Sequence, residues 1–223
     1  MYGSLPIEKS PLADRDYVVA VDHSGSMKRI EASENMPRWS LVAEAVQGLA
    51  RAVTQWDPDG IDLVLFDTDV THHRKVNAEQ VREIFERKPP DHGMTHMAGA
   101  LELAFNDYFA NRDDKVGIKG CTVIVVTDGA PYLNLHRNKA KHFDSSLKKA
   151  AKSALDQLRR AQGQLRQPGE LKVVFFQVGQ DEDATEFLNK VRAEFPTLAT
   201  VASIDDMERK GLKKMLEETL QIT

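Results

Sequence analysis

Two patterns of apolar positions alternate along the chain. Strand-length apolar runs occur at residues 17–22, 61–66, 121–126 and 171–178. Runs this short with little polar interruption suit strands covered on both faces, as in parallel sheets. Between them the apolar positions recur at helical spacing. Val42, Ala45, Val46, Leu49, Val53 and Trp56 predict a long helix stopped by Asp57-Pro58-Asp59-Gly60. Ala98, Leu101, Phe105 and Tyr108 mark a second helix, and Leu147, Ala151, Ala154, Leu158 and Leu165 a third, over about residues 144–166. A last helix over about 205–220 turns Leu212, Met215 and Leu216 inward, and a short one at 78–88 ends at Pro89-Pro90. Residues 70–76 follow 61–66 after a short turn, as an antiparallel edge strand would. With a short strand before the last helix, this predicts an α/β fold, a doubly wound, Rossmann-like three-layer sandwich. Its sheet is mainly parallel and six-stranded, with one antiparallel edge strand.

A length of 223 residues suits one domain, expected over 16–223 behind an N-terminal arm, 1–15, that holds Pro6 and Pro11. The arm has no apolar core of the kind a secretory signal needs. Charged residues at 29% and apolar residues at 41% describe a folded chain, and no apolar run is long enough for a membrane span. A net charge of -4 supplies no basic field, so nucleic acid is not an expected partner. The single cysteine, Cys121, excludes an internal disulfide and lies in an apolar strand, where an inert buried thiol is expected. A reducing, cytoplasmic setting is the expectation.

Three short segments carry candidate chemistry: Asp22-His23-Ser24-Gly25-Ser26, Gly93-Met94-Thr95 and Thr127-Asp128-Gly129. In doubly wound sheets, ligands bind beyond the carboxyl ends of the strands, where the strand order reverses. If the strands ending near Asp22 and Asp128 are neighbours there, the segments converge. They would bring together two carboxylates and three hydroxyls, a hard-oxygen set suited to Mg²⁺ or Mn²⁺. Thr95 can also cap the helix that follows it.

The order Asp22-x-Ser24-x-Ser26, then Thr95, then Asp128, resembles the metal-ion-dependent adhesion site of von Willebrand factor type A (VWA) domains. The resemblance extends over about residues 17–220, because the order of elements also fits. It implies that Ser24, Ser26 and Thr95 supply hydroxyl ligands and that Asp22 and Asp128 act directly or through water. It leaves one position open for an Asp or Glu of a partner protein. The implied function is a non-enzymatic, metal-dependent interaction module. It is similar to the short stand-alone bacterial type that acts inside cells, including those associated with tellurium resistance and stress response. A related reading makes it an accessory subunit of an ATPase or chaperone-like machine.

The alternative is a metal-dependent phosphatase or phosphoryl-transfer enzyme, since these also place a carboxylate at the end of the first strand. Such an enzyme would want a second acid/base carboxylate near Asp22 and a basic residue for phosphate. The chain has no Gly-x-x-x-x-Gly-Lys loop.

His23 and His96 depart from the usual pattern. They are expected beside the ion rather than on it, because imidazole suits softer metals. His72 and His73 must face opposite sides of a strand and are expected at solvated edge positions. Tyr132, Leu133 and Leu135 offer an apolar rim or simple loop packing. Arg137, Lys139, Lys141, Lys148 and Lys149 offer either steering of an acidic partner or a solvated face.

Overall fold

The structure is a computed structural model, and the residues it describes are 12–13, 15–31, 35–54, 57–90, 92–112, 119–132, 143–203 and 212–221. Their order is β1 (Arg15–Asp22), a 3-10 turn (Gly25–Lys28), β2 (Ile30–Glu31), β3 (Met36–Pro37), α1 (Arg38–Val53), β4 (Ile61–Phe66), β5 (Val70–Val76), α2 (Ala78–Arg87), α3 (Met97–Asn111), β6 (Gly120–Thr127), α4 (Phe143–Gln164), β7 (Leu171–Gln177), α5 (Glu182–Glu194), β8 (Ala199–Ser203) and α6 (Leu212–Gln221).

The six-stranded sheet runs β5-β4-β1-β6-β7-β8. Every pairing is parallel except β4 with β5. Sequence order moves outward from β1 in one direction to β5 and then in the other to β8, so the order reverses between β1 and β6. Side-chain alternation sorts the apolar residues into two cores. Val18 and Ala20 of β1 join Val64, Val123 and Phe175 under α3, α4 and α5. Tyr17, Val19 and Val21 join Leu63, Ile124 and Phe176 under α1, α2 and α6. This is the expected three-layer α/β sandwich.

The helices follow from local chemistry. Asn77 caps α2 by accepting from the Glu79 and Gln80 backbone N–H groups, and the Gln80 side chain accepts in return from Asn77 N–H. Asp181 caps α5 through Ala184 N–H at 2.8 Å. The expected inward positions Ala98, Leu101, Phe105 and Tyr108 are all buried, as are Met215 and Leu216. Cys121 is buried as well, and burial pushes its thiol pKa up, which fits an inert residue.

Some features differ from expectation. Leu12 is fully buried and accepts a hydrogen bond from the Tyr17 hydroxyl, and β1 already begins at Arg15, so part of the expected arm packs into the domain. β2 pairs antiparallel with β3, and Asn35, just before β3, takes a φ of 52° that an asparagine tolerates. Helix α3 starts at Met97 rather than at a Thr95 cap, and His96 takes the cap position without a side-chain bond. Thr95 is instead held extended by a bridge to Tyr132. Trp56 and residues 204–211 lie outside the described residues.

Candidate metal centre

Strands β1 and β6 pair directly, with Val21 beside Val126, so Asp22 and Asp128 leave the sheet next to each other where the order reverses. Asp22 is fully buried and Asp128 nearly so. Asp22 Oδ1 accepts the Ser24 backbone N–H at 2.9 Å, and Oδ2 accepts the Thr127 hydroxyl at 2.7 Å. Ser26 donates its hydroxyl to Asp128 Oδ1 at 2.7 Å, and its oxygen lies 2.9 Å from that of Ser24. The two carboxylates are thus joined through the loop between them. Thr95, the fifth expected residue, is brought to this edge by its backbone. Gly25 N–H reaches Gly93 O at 3.5 Å, and Thr95 exchanges two backbone bonds, at 2.8 and 3.0 Å, with Tyr132 in the loop after Asp128.

Gly93 is required by close approach, since a Cβ there would lie 2.5 Å from Cβ of Asp67. That contact seats the threonine loop against the turn after β4.

Two buried carboxylates dominate the electrostatics of the site. Burial, and then the neighbouring Asp128 charge, push the Asp22 carboxyl up to about 7, against the Ser24 and Thr127 hydrogen bonds. One cation does reach Asp128. Arg38, the first residue of α1, donates from Nη1 to Asp128 Oδ2 at 2.8 Å and from Nε to Glu31 Oε2 at 3.0 Å. Burial opposes its charge, yet these two carboxylates hold its pKa above the ordinary arginine value. The guanidinium also lies against Gly179, whose φ of +71° and missing side chain leave it room.

Sequence reasoning missed both Arg38 and the role of Thr127. Thr127 stood within a recognised segment, but Arg38 is 90 positions from its partner and follows a short strand pair with no clear turn signal.

Of the two histidines singled out in the sequence, His23 is held by other groups. His23 Nδ1 lies 3.2 Å from Asp67 Oδ2, and Nε2 lies 2.9 Å from Pro89 O, with the ring 5.1 Å from that of Trp39. The His96 ring covers Gly99, where a Cβ would meet it at 2.8 Å. His72 and His73 do face opposite sides, beside Val64 and Leu63. They are not solvated, however. His72 is bonded to Asp62 at 2.8 Å with 14% of its side chain exposed, and Nε2 of the half-buried His73 is enclosed without a partner. Tyr132 is half-buried, and Lys148 and Lys149 are exposed. Leu133, Leu135, Arg137, Lys139 and Lys141 lie outside the described residues.

Solved structures of similar fold include a mutant of the PilB minor pilin from Streptococcus sanguinis, at TM-score 0.66 and 12% identity, covering 97% of this chain and 64% of the pilin. The vWF domain of the type V pili tip protein Mfa5 from Porphyromonas gingivalis matches at TM-score 0.58 and 14% identity, over 93% of this chain and 96% of that domain. Proximal thread matrix protein 1 from the mussel byssus, with a zinc-occupied MIDAS motif, matches at TM-score 0.56 and 15% identity, over 94% of this chain and 48% of that one. The chain therefore spans less than two thirds of the pilin and about half of the byssus protein. It matches no curated protein. Among the described residues, no helix is long and apolar enough to cross a membrane. The family model of the von Willebrand factor type A domain matches residues 17–130, slightly more than half of the chain, and the chain belongs to that family.

Proposed function

We propose that this domain holds a divalent cation, Mg²⁺ or Mn²⁺, through Asp22, Ser24, Ser26, Thr95 and Asp128, and uses it to take an Asp or Glu carboxylate from a partner protein. The observation that carries this reading is the continuous chain Asp22, Ser24, Ser26 and Asp128, two buried carboxylates joined through the Ser24 backbone N–H and the two serine hydroxyls at the point where strand order reverses.

The donor set fits such an ion. All five residues offer oxygen, and a buried carboxyl pushed up to about 7 beside a second one gains most from an added positive charge. A divalent ion would balance Asp22 and Asp128 while Arg38 balances Glu31, so the site would not carry an excess negative charge against an incoming carboxylate. When bound, the cation would supply an electrophilic position for an incoming carboxylate. The protein's own groups would fix the oxygens and exclude water. The zinc reported in the MIDAS motif of the byssus protein supports a divalent ion at this place in the fold.

Two features wanted by the phosphoryl-transfer alternative are present, since Asp128 lies near Asp22 and Arg38 is basic. Arg38, however, is engaged by two carboxylates with 12% of its side chain exposed, which leaves it poorly placed to hold phosphate. A non-enzymatic interaction module is therefore our reading, in a stress-response or ATPase-associated assembly. The proposal keeps a cytoplasmic setting, on the ground that the lone buried Cys121 forms no internal disulfide.

Calorimetric titration of Mg²⁺ and Mn²⁺ into wild type, Asp22→Ala and Thr95→Ala tests it. Binding lost in both variants is expected, and equal affinity in all three would refute the site. A peptide bearing a single Asp or Glu should then bind the wild type with Mg²⁺ and fail to bind in chelator.

A further inference from the structure

A second cluster of metal-ligating side chains stands at the opposite end of the sheet. Asp62 of β4, His72 of β5 and Asp107 of α3 each present one ligand atom, and all three atoms lie within 4.8 Å of one another. Phe66, which pairs with Asp22, is four residues beyond Asp62 on β4, so the cluster lies about 13 Å down the strand from the level of Asp22. The two places share no residue.

The fold assembles the trio deliberately at the margin of one core. Asp62 precedes Val64 by two, and His72 pairs with Val64, so both side chains share the face that α3 covers. The pairing of β4 with β5 slips between Ile61 and Leu63, and Lys75 opposite takes a φ of 51°. Such a break in register re-aims a side chain. Here it lets the Lys75 backbone N–H hold Asp62 Oδ1 at 2.9 Å, leaving Oδ2 on His72 Nε2 at 2.8 Å. Asp107 is oriented in the same way, with Asn111 Nδ2 donating to Oδ1 at 3.2 Å. Each carboxylate thus has an outer N–H that fixes its direction, the kind of support that ligating carboxylates receive in metal sites.

One ring nitrogen with two carboxylate oxygens is a mixed set, softer than the all-oxygen set at Asp22 and Asp128. It suits Zn²⁺, with Zn–N of about 2.0–2.1 Å and Zn–O of about 2.0–2.2 Å, and three protein ligands leave a fourth position for water. Arg74 already brings one positive charge to the cluster, pairing with both oxygens of Asp107, and its side chain is 58% exposed. It can return to water at little cost when a stronger cation arrives. We propose that Asp62, His72 and Asp107 form a second cation site, selective for Zn²⁺ over Mg²⁺, in which Arg74 holds Asp107 in the absence of the ion. On binding, the ion takes the Nε2 lone pair of His72, with the ring proton carried on Nδ1, and displaces the guanidinium from Asp107.

The test is titration of Co²⁺, a coloured stand-in for Zn²⁺, into the whole chain with excess Mg²⁺ present to occupy the oxygen site. One equivalent should give the intense visible bands of a tetrahedral ion, and Zn²⁺ should bleach them. His72→Gln keeps a hydrogen-bonding group toward Asp62 but loses the imidazole, and should weaken binding at least about tenfold. Asp107→Asn should do the same, whereas Arg74→Ala should tighten binding and Asp128→Asn should leave the bands unchanged. Thermal melting without metal checks that each variant folds. Absence of the bands in a folded wild type, or bands of equal strength and affinity in His72→Gln, would overturn the proposal.

Discussion

Arg38 and Asp128 form an ion pair at 2.8 Å in which the carboxylate side chain is fully buried and the guanidinium is 12% exposed. It joins the start of α1 to the residue that follows β6. Removing one member of a buried pair leaves the other uncompensated, which costs more than the pair contributes. Arg38→Met should therefore destabilise the metal-free protein by about 3 kcal/mol. Adding Asp128→Asn to it should restore part of that loss, which denaturant melts of the two single variants and the double variant would show. Equal stability of Arg38→Met and wild type would mean that the pair is not formed in solution.

Gly179→Ala should act through the same arginine. A β-carbon there meets the guanidinium, and the φ of +71° disfavours any residue with a side chain. We expect a loss of about 1–2 kcal/mol, and much less than additive behaviour when the change is combined with Arg38→Met. A fully additive double variant would place the strain elsewhere.

The Asp22 carboxyl gives the metal-free domain an unusual pH dependence. Its folded pKa of about 7 lies above its ordinary value, so the folded state holds a proton that the unfolded chain releases between about pH 4 and 7. The stability contributed by this group is fully present below about pH 4 and is lost as pH rises through 7. Binding of Mg²⁺ needs the carboxylate, so affinity should climb from pH 6 to 8 and level off above. Asp22→Asn should reduce the slope of the stability profile over that window, leaving the part due to Asp57, whose carboxyl is also pushed up to about 7 by burial. A profile unchanged in Asp22→Asn would assign the proton to another group.

His23 should prove a support and not a ligand. Its two nitrogens are held by Asp67 and by the carbonyls of Lys88 and Pro89, with Trp39 beside the ring. His23→Ala is expected to cost about 1–2 kcal/mol of stability while changing Mg²⁺ affinity by less than about threefold. A loss of affinity like that expected for Asp22→Ala would put the imidazole on the ion.

Much of this architecture is legible in the residues. A strand buried on both faces must be apolar throughout, so β1, β6 and β7 announce themselves, and the polar residues that end them point to the edge where a ligand would lie. Asp22, Ser24, Ser26 and Asp128 all lie at or just beyond such strand ends. What escaped depends on pairing between distant segments. Nothing local marks Arg38 as the partner of Asp128, because an arginine at a helix start reads as a solvated charge. His72 likewise looks like an exposed edge residue until the slipped register of β4 and β5 sets Asp62 against it. Thr95 does not cap the helix that follows, since its bridge to Tyr132 keeps it extended and α3 begins only at Met97.

The irregular border formed by β5 has a further effect on how the molecule behaves among copies of itself. An open sheet margin is a template for strand addition, and a flat, apolar one invites aggregation. This margin carries the exposed Arg74 and Lys75, bends at Lys75 and loses register near Ile61. A second chain laid along it would have to bury those charges and follow a kinked backbone, so the domain is protected against growing into a fibre from this side.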